Sequence, residues 1–406
     1  MFKSKTVKTP VIGIDIGTSQ IKMAQFKEDK DKIKLINFGF LPTPAGCLKN
    51  GKIIKEDELA DAISTLVAFH GFQGKRVAAS VSGQQVTVKQ IVIEEVPKQD
   101  LGDLIKWELD KYISYPVDQA IFDYQILSID EDEAGKKKYT CLVAVAPTEI
   151  VVPLLSTLKK AKLEPFYFEA DSFSELRLAD FLTVKEEELK NSILVFCNIG
   201  TTNTLVEVTE NSNIDLTRII PMGLNFIKEG IFSNMEATPE EAENALLSLV
   251  DLNENAEFAD EISKKATEFI IPKLEELALE IKRSLNFFNT IFGEENEKPI
   301  YLIFSGGGAN IKGIVPYMSE NIGIKCFINK YIVQLCEYDK TQFSATYLET
   351  MAPIFSIAAG LSLIDLEEKY MKRTIKARST TSKEKKIEKI EKIEKIEKAQ
   401  ENEIVD

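Results

Sequence analysis

The chain has 406 residues, 44% of them hydrophobic, and carries 50 basic against 64 acidic side chains for a net charge of −14. That length supplies more than one core, and the acidic balance opposes the counterion release behind nucleic-acid binding, so no nucleic-acid partner is expected. Five cysteines without a C-x-x-C pair and a single histidine, His70, exclude the common zinc arrangements and fit reduced, buried thiols of a cytoplasmic protein.

The basic N-terminus, 1–10, runs into a β-like segment holding an acidic residue, not into an apolar signal core. Neither apolar stretch at 192–197 or 352–364 reaches the ~20 residues of a membrane helix, and the second contains Pro353, so neither export nor a membrane span is expected. Val11–Phe26 reads as a strand, a tight turn at Gly17-Thr18-Ser19-Gln20 and a second strand. Glu56–Phe69 has the 3–4 spacing of an amphipathic helix, and His70 follows it before Gly71 as a surface or capping residue. Lys98–Ile113, after Pro97, has Leu101, Leu104, Ile105, Leu109 and Ile113 at helical spacing. Between Arg76 and Lys162 the order strand, strand, helix, strand, strand, helix suggests a small inserted α/β module.

Ser192–Glu207 repeats the strand, turn, strand pattern with Ile199-Gly200-Thr201 at the turn, and the two copies suggest duplicated halves. Thr238-Pro239-Glu240-Glu241 predicts a helix start, since Thr238 can cap while Glu241 reaches back. Ile270, Leu274, Leu277, Ala278, Ile281, Leu285, Phe288 and Ile291 mark a long helix with one apolar stripe. Pro299–Phe304 is a short buried strand feeding Ser305-Gly306-Gly307-Gly308. The ordered body is expected to end near Lys372. From Lys383 to Lys398 a Lys/Glu/Ile triplet repeat places Ile387, Ile390, Ile393 and Ile396 at every third residue, which gives no stable apolar face and suggests a solvated helix or disordered extension.

A nucleotide phosphate needs backbone N–H groups that approach closely, and glycine with small residues permits that approach. Gly17, Gly200 and Gly306 to Gly308 can provide it, while neither G-x-x-x-x-G-K-[ST] nor G-x-G-x-x-G occurs, which argues against a P-loop or a Rossmann turn.

Two such hairpins in duplicated halves, followed by a strand and Ser-Gly-Gly-Gly, resemble the actin, Hsp70 and sugar-kinase superfamily. Asp15–Lys22 is similar to its first phosphate motif, Asn198–Thr202 to the second, Ser305–Ala309 to the adenosine motif and Pro353–Leu361 to the closing helix. Within the superfamily the chain resembles the FtsA-related PilM family of type IV pilus assembly proteins. Leu41-Pro42-Thr43-Pro44-Ala45-Gly46, Gly51-Lys52-Ile53-Ile54, Val81-Ser82-Gly83, Trp107-Glu108 and Tyr112-Ile113-Ser114-Tyr115-Pro116 carry that likeness, which runs from Val11 to Leu366.

The resemblance implies an α/β, actin-like fold with two ribonuclease-H-like halves. Its subdomains would be 1A at 1–75 and 166–190, an inserted 1C at 76–165, 2A at 191–225 and 300–350, and 2B at 226–299, with a closing helix at 351–372 and a charged tail at 373–406. It further implies ATP or ADP with magnesium in the interdomain cleft, Asp15 holding the metal through water. Gly17, Thr18, Ser19, Gln20, Lys22, Asn198, Gly200, Thr201, Thr202, Gly306, Gly307 and Gly308 would surround the nucleotide, with Lys282 and Arg283 facing the adenine and ribose. Asp171 falls where the family carries an acidic residue near the phosphate. Asn198 departs from the superfamily's aspartate; an amide is a poorer magnesium ligand and cannot act as a base, so binding with weak or absent hydrolysis is expected.

The implied role is a nucleotide-binding scaffold that holds the N-terminal cytoplasmic peptide of a PilN-like membrane protein beside the inserted module and so sits on the inner membrane. The pilus motor ATPase and self-association are further candidate interactions. Two alternatives stay open, an FtsA-like division filament and a small-molecule kinase of the same fold. The first calls for an amphipathic C-terminal helix and the second for a base aspartate in the cleft.

Overall fold

A computed structural model describes residues 9–30, 32–131, 135–183, 189, 191–210, 212–292 and 298–366. The chain forms two units, Met1–Leu363 and Ile364–Asp406, and the Lys/Glu/Ile repeat of the second lies outside the described residues.

Strands β1 (Ile12–Ile16), β2 (Gln20–Asp29) and β3 (Lys32–Pro42) form an antiparallel meander, followed by the short hairpin β4 (Leu48–Lys49) and β5 (Lys52–Ile53) and by helix α1 (Glu56–His70). Next come β6 (Arg76–Val81), β7 (Thr87–Glu94), α2 (Leu101–Leu109), β8 (Ala120–Glu131), β9 (Lys137–Pro147), α3 (Thr148–Lys160), β10 (Glu164–Ala170) and α4 (Asp171–Thr183). The second half opens with β11 (Ile193–Ile199), β12 (Thr204–Glu210) and β13 (Asn213–Ile220), then α5 (Leu224–Met235), α6 (Pro239–Ser248) and α7 (Glu261–Phe292). β14 (Ile300–Ser305), α8 (Ile314–Ile322), β15 (Lys325–Ile328), α9 (Tyr331–Leu335), β16 (Cys336–Glu337), α10 (Ala345–Met351) and α11 (Ser356–Ser362) follow.

The two large sheets are copies of one plan. The first runs β10-β6-β1-β2-β3-β16 and the second β13-β12-β11-β14-β15. In each, a meander (β1-β2-β3 or β11-β12-β13) is extended by two parallel strands on the side of its first strand (β6 and β10, or β14 and β15). The duplication inferred from the two strand-turn-strand segments is therefore a duplication of whole sheets. The fold is α/β and actin-like.

The segments expected between Arg76 and Lys162 occur in the expected order, with two differences: α3 buries Ile150, Leu154 and Leu158 in the first core beside Leu59, Ile63 and Leu66 of α1, and β6 also lies outside the module. β6 joins the first large sheet between β10 and β1, so the separate sheet, β7-β9-β8, begins only at β7. One face of that sheet, with Ile91, Cys141 and Val143, buries against Leu101, Ile105 and Leu109 of α2. Its edge strand β7 meets the second half directly: Gln90 Nε2 donates to Ile214 O and Asp215 Oδ1, both at 2.9 Å, and Thr217 Oγ1 donates to Val88 O at 2.8 Å.

Helix boundaries follow local chemistry. α1 ends where Gly71 takes the left-handed conformation (φ 66°) and donates to Val67 O, as the His70-Gly71 pair suggests. α2 is shorter than the 98–113 periodicity, because Tyr112 N–H turns back to Leu109 O at 2.9 Å and Pro116 soon forces extended backbone. The capping box at α6 forms as read, Glu241 N–H donating to Thr238 Oγ1 at 3.2 Å and Thr238 N–H to Glu241 Oε2 at 2.7 Å. α7 starts at Glu261, well before the stripe's first member, because Asp260 Oδ1 accepts from Ser263 N–H at 2.7 Å and caps it. Its buried stripe, Ile270, Leu274, Leu277, Ile281, Leu285 and Phe288, packs with Val206 and Val208 in the second core. α11 is buried along its whole length. A Cβ on Gly13 would lie 2.0 Å from Ala358 O, and one on Gly360 would lie 2.2 Å from Ser174 O, so these glycines let α11 wedge between β1 and α4.

Candidate functional site

The two hairpin turns line one cavity of about 640 Å³ between the halves. Each turn closes with the same bond: Gly17 N–H donates to Gln20 O and Gly200 N–H to Asn203 O, both at 2.9 Å. Thr43 braces the first turn, its N–H donating to Ser19 O at 2.9 Å and its hydroxyl to Gly17 O at 2.7 Å. The second is braced by the start of α5, where Leu224 and Asn225 N–H groups donate to Gly200 O and Thr201 O, both at 2.9 Å. These bonds occupy turn carbonyls and leave the donors. The backbone N–H groups of Thr18, Ser19, Thr201 and Thr202 have no acceptor among the described residues, and all four residues line the cavity. Unpaired amides from two facing turns make an anion cradle.

The floor is charged on the first side. Asp15 and Lys22 stand opposite each other in the β1–β2 register, and the partly exposed ammonium lies 2.5 Å from the buried carboxylate. Asp171, the first residue of α4, opens partly onto the cavity, yet its Oδ1 is buried without a partner among the described residues. Burial first, and then the charge of Asp15, push its pKa well above the usual carboxylate range. One lysine thus serves two carboxyl groups, and a cation would satisfy the second. No group of three or more His, Cys, Asp or Glu side chains forms a metal cage among the described residues. The pair Asp15 and Asp171 instead fits magnesium, which binds through one or two carboxylates and takes its remaining ligands from water and phosphate.

The second side is neutral. Asn198 occupies the position of Asp15, two residues before the turn glycine, and donates from Nδ2 to Glu175 Oε1 at 2.8 Å. Gly306 and Gly307 complete the wall. Gly306 has φ 76°, and a Cβ there would lie 2.4 Å from Ile199 O, so only glycine fits.

Most residues named from the sequence meet here: Asp15, Gly17, Thr18, Ser19, Gln20, Lys22, Asp171, Asn198, Gly200, Thr201, Thr202, Gly306 and Gly307 all line the cavity. Gly308 does not; it packs on Ile199, whose Cγ2 a Cβ would meet at 2.3 Å. Lys282 and Arg283 also lie outside the lining. The α7 stripe buries Ile281 and Leu285, and this phase turns Arg283 to an ion pair with Glu280, which also binds Arg218 at 2.7 Å. The charged pair found instead is Lys228 of α5 and Glu243 of α6, joined at 2.8 Å. Each is a single charge on an amphipathic helix, and no motif marks them. His70 takes no part, since its ring sits against Gly39 and burial lowers its pKa.

Comparison with known proteins bears on this geometry. The family model described as type IV pilus assembly protein PilM matches residues 13–365. A solved PilM-PilN type IV pilus biogenesis complex superposes with TM-score 0.75 at 21% identity, covering 88% of this chain and 98% of that one. The ethanolamine utilization protein EutJ from Carboxydothermus hydrogenoformans superposes with TM-score 0.51 at 13% identity, over 87% and 89% of the two chains. The cell division protein FtsA of Bacillus subtilis (strain 168) is 24% identical over 255 residues, 57% of this chain; the match spans 56% of that relative's length.

Proposed function

The chain belongs to the PilM family of type IV pilus assembly proteins, and from that premise we propose that it is a nucleotide-binding scaffold of the pilus machinery. The observation that carries the nucleotide reading is the pair of facing turns with unpaired N–H groups beside Asp15, Lys22 and Asp171. In this reading the turn amides and the hydroxyls of Thr18, Ser19, Thr201 and Thr202 hold the phosphates of ATP or ADP. Asp15 and Asp171 would hold magnesium, largely through water, with Asp171 in its ionised form. Magnesium supplies charge neutralisation of the phosphates. Gly306 and Gly307 lie against the nucleoside, with Lys228 and Glu243 further along the same wall. Asn198 is uncharged and cannot take a proton from water, so retention of nucleotide is favoured over turnover.

A family relative is seen in a PilM-PilN complex, and an extended N-terminal peptide of a PilN-like membrane protein suits a sheet edge beside the β7-β9-β8 module. β10, which leads out of that module, is the end strand of the first large sheet. It exposes Phe166 and Tyr167 by 40% and 41%, with the Arg76 guanidinium 4.3 Å from the Phe166 ring centroid. Edge N–H and C=O groups supply affinity and aromatic side chains supply register. Such a contact would hold the protein at the inner membrane from the cytoplasmic side; no helix among the described residues is long and apolar enough to cross a membrane.

Calorimetry tests both parts on the full chain: Mg-ATP titrated into the protein, then a synthetic N-terminal PilN peptide with and without ATP. Micromolar ATP binding, and peptide binding that Phe166→Asp abolishes, are the expected results. Absence of ATP binding removes the nucleotide role and leaves a static adaptor. Peptide binding that survives Phe166→Asp moves the groove elsewhere.

A further inference from the structure

Glu175 lies on α4 one turn after Asp171 and is 0% exposed. Its Oε1 accepts from Asn198 Nδ2 at 2.8 Å, Ser305 Oγ at 2.7 Å and Ser356 Oγ at 2.6 Å, and its Oε2 accepts from Asn329 Nδ2 at 3.2 Å. These donors come from β11 before the second turn, from the end of β14 before Gly306, from the loop after β15, and from the head of α11. One carboxyl group therefore ties the first half's α4 to the second half's phosphate and nucleoside turns. Burial raises its pKa and the four donors oppose that rise. A carboxylate only accepts hydrogen bonds, and with four donors converging on it the ionised form is the one the surroundings fit.

The consequence falls on Asn198. Its amide has one NH2 and one carbonyl oxygen, and Glu175 takes the NH2. The oxygen is left facing Gly306, where an added Cβ would lie 2.6 Å from Asn198 Oδ1. Asn198 also lines the cavity. An aspartate at 198 would instead bring a second carboxylate within hydrogen-bond distance of a buried one, and one of the two would have to take up a proton or move away.

We propose that Glu175 is a positioning residue: it fixes the Asn198 amide with its neutral oxygen toward the cavity and bars aspartate from that position. The negative charge that would face the ligand is carried one layer deeper, where it joins the two halves. On the nucleotide reading above, on which this interpretation of the cavity side rests, the bound phosphates then meet carboxyl groups from the first hairpin and α4 only.

The test compares full-length wild type, Asn198→Asp, Glu175→Gln and the double variant, by thermal unfolding without ligand and by calorimetry with ATP in the presence and absence of magnesium. Asn198→Asp is expected to lower Tm by roughly 5–10 °C. The double variant is expected to recover more than half of that loss, because the amide introduced at position 175 could donate to the carboxylate introduced at position 198. Its ATP affinity should gain from magnesium about tenfold more than the wild type's, since a charge now faces the cavity. A merely structural role for Glu175 predicts additive losses in the double variant. An Asn198→Asp protein as stable as wild type, or a double variant no better than the single one, overturns the proposal. The rescue pattern without ATP binding by any of the four supports the positioning role and overturns the nucleotide reading instead.

Discussion

The two hairpins share strand order, register and turn hydrogen bond, and differ in where they keep charge. At the paired positions of β1 and β2 stand Asp15 and Lys22; the same register in β11 and β12 holds Asn198 and Leu205. The first hairpin places an ion pair at the cavity, whereas the second presents a neutral amide there, held from behind by the buried Glu175 of α4, and carries its own buried acid, Glu207, on β12. A duplicated scaffold thus supplies two cradles of amides, while only one of them is equipped to meet a cation.

Turning the first hairpin into the second breaks that asymmetry most directly. Asp15→Asn leaves Lys22 without its 2.5 Å partner and removes one of the two carboxyl groups suited to magnesium. Affinity for Mg-ATP is expected to fall roughly 100-fold by calorimetry, while Asn198→Ala changes it less than about tenfold. Stability should drop by about 1 kcal/mol, because Lys22 is partly exposed to the cavity and keeps Asp171 nearby. Equal losses from the two substitutions would mean that the hairpins contribute alike.

Next in size is the brace of the second turn. A Cβ on Gly223 would lie 2.6 Å from Gly200 O and 2.7 Å from Asn203 N, so the backbone just before α5 sits directly on the turn. Gly223→Ala should cost about 2–4 kcal/mol in a urea titration and weaken ATP binding with it. Stability and binding that both stay at wild-type values would show that the turn can retreat freely.

The sequence made the turns legible because a phosphate cradle must be short, small-residue and local: Gly17-Thr18-Ser19-Gln20 and Gly200-Thr201-Thr202 each announce themselves within a few residues. The same repeat implied duplicated halves, while the matching strand order of the two sheets is seen only in the structure. What stayed hidden depends on contacts across long separations. Glu175 meets Asn329 and Ser356 from far along the chain, and nothing around any of the three marks the meeting. Lys282 and Arg283 show the reverse failure, since helix phase, set by which residues of α7 the second core buries, turns a promising basic pair away from the cavity. β6 was misplaced for a related reason: a strand's sheet is decided by its partners, and Arg76–Val81 pairs with β1 although its sequence neighbour β7 starts another sheet.

Glu207 sharpens the comparison from inside the second hairpin. On β12 it corresponds to Ala24 of β2, pairing with Phe196 as Ala24 pairs with Gly13. It is 0% exposed, and neither carboxyl oxygen has a partner among the described residues. Burial, and then the charges of Glu175, Asp180 and Asp171, raise its pKa well above 4.5, so the folded protein keeps the proton that the unfolded chain releases. The folded state then binds more protons, and stability falls as pH rises from about 4.5 toward the folded pKa, by at most ~1.4 kcal/mol per unit. Glu207→Leu should remove that slope and stabilise by about 2 kcal/mol above neutral pH, read from denaturant midpoints across a pH series. A variant with the wild-type slope would locate the pH dependence in the other buried acids.

The smallest effect separates the two braces. Thr43 holds the first turn through one backbone and one side-chain donor, so Thr43→Val removes the hydroxyl bond to Gly17 O and keeps the shape. That should cost about 1 kcal/mol, seen as a lower urea midpoint at unchanged m. Hydrogen exchange should quicken at the Gly17 N–H, which closes the first turn on Gln20 O, while the Gly200 N–H keeps its rate, because the second turn is held by the Leu224 and Asn225 amides, which no side-chain change removes. Quickening at both turns would mean that they open together across the cavity, and that the asymmetry of charge is not matched by an asymmetry of stiffness.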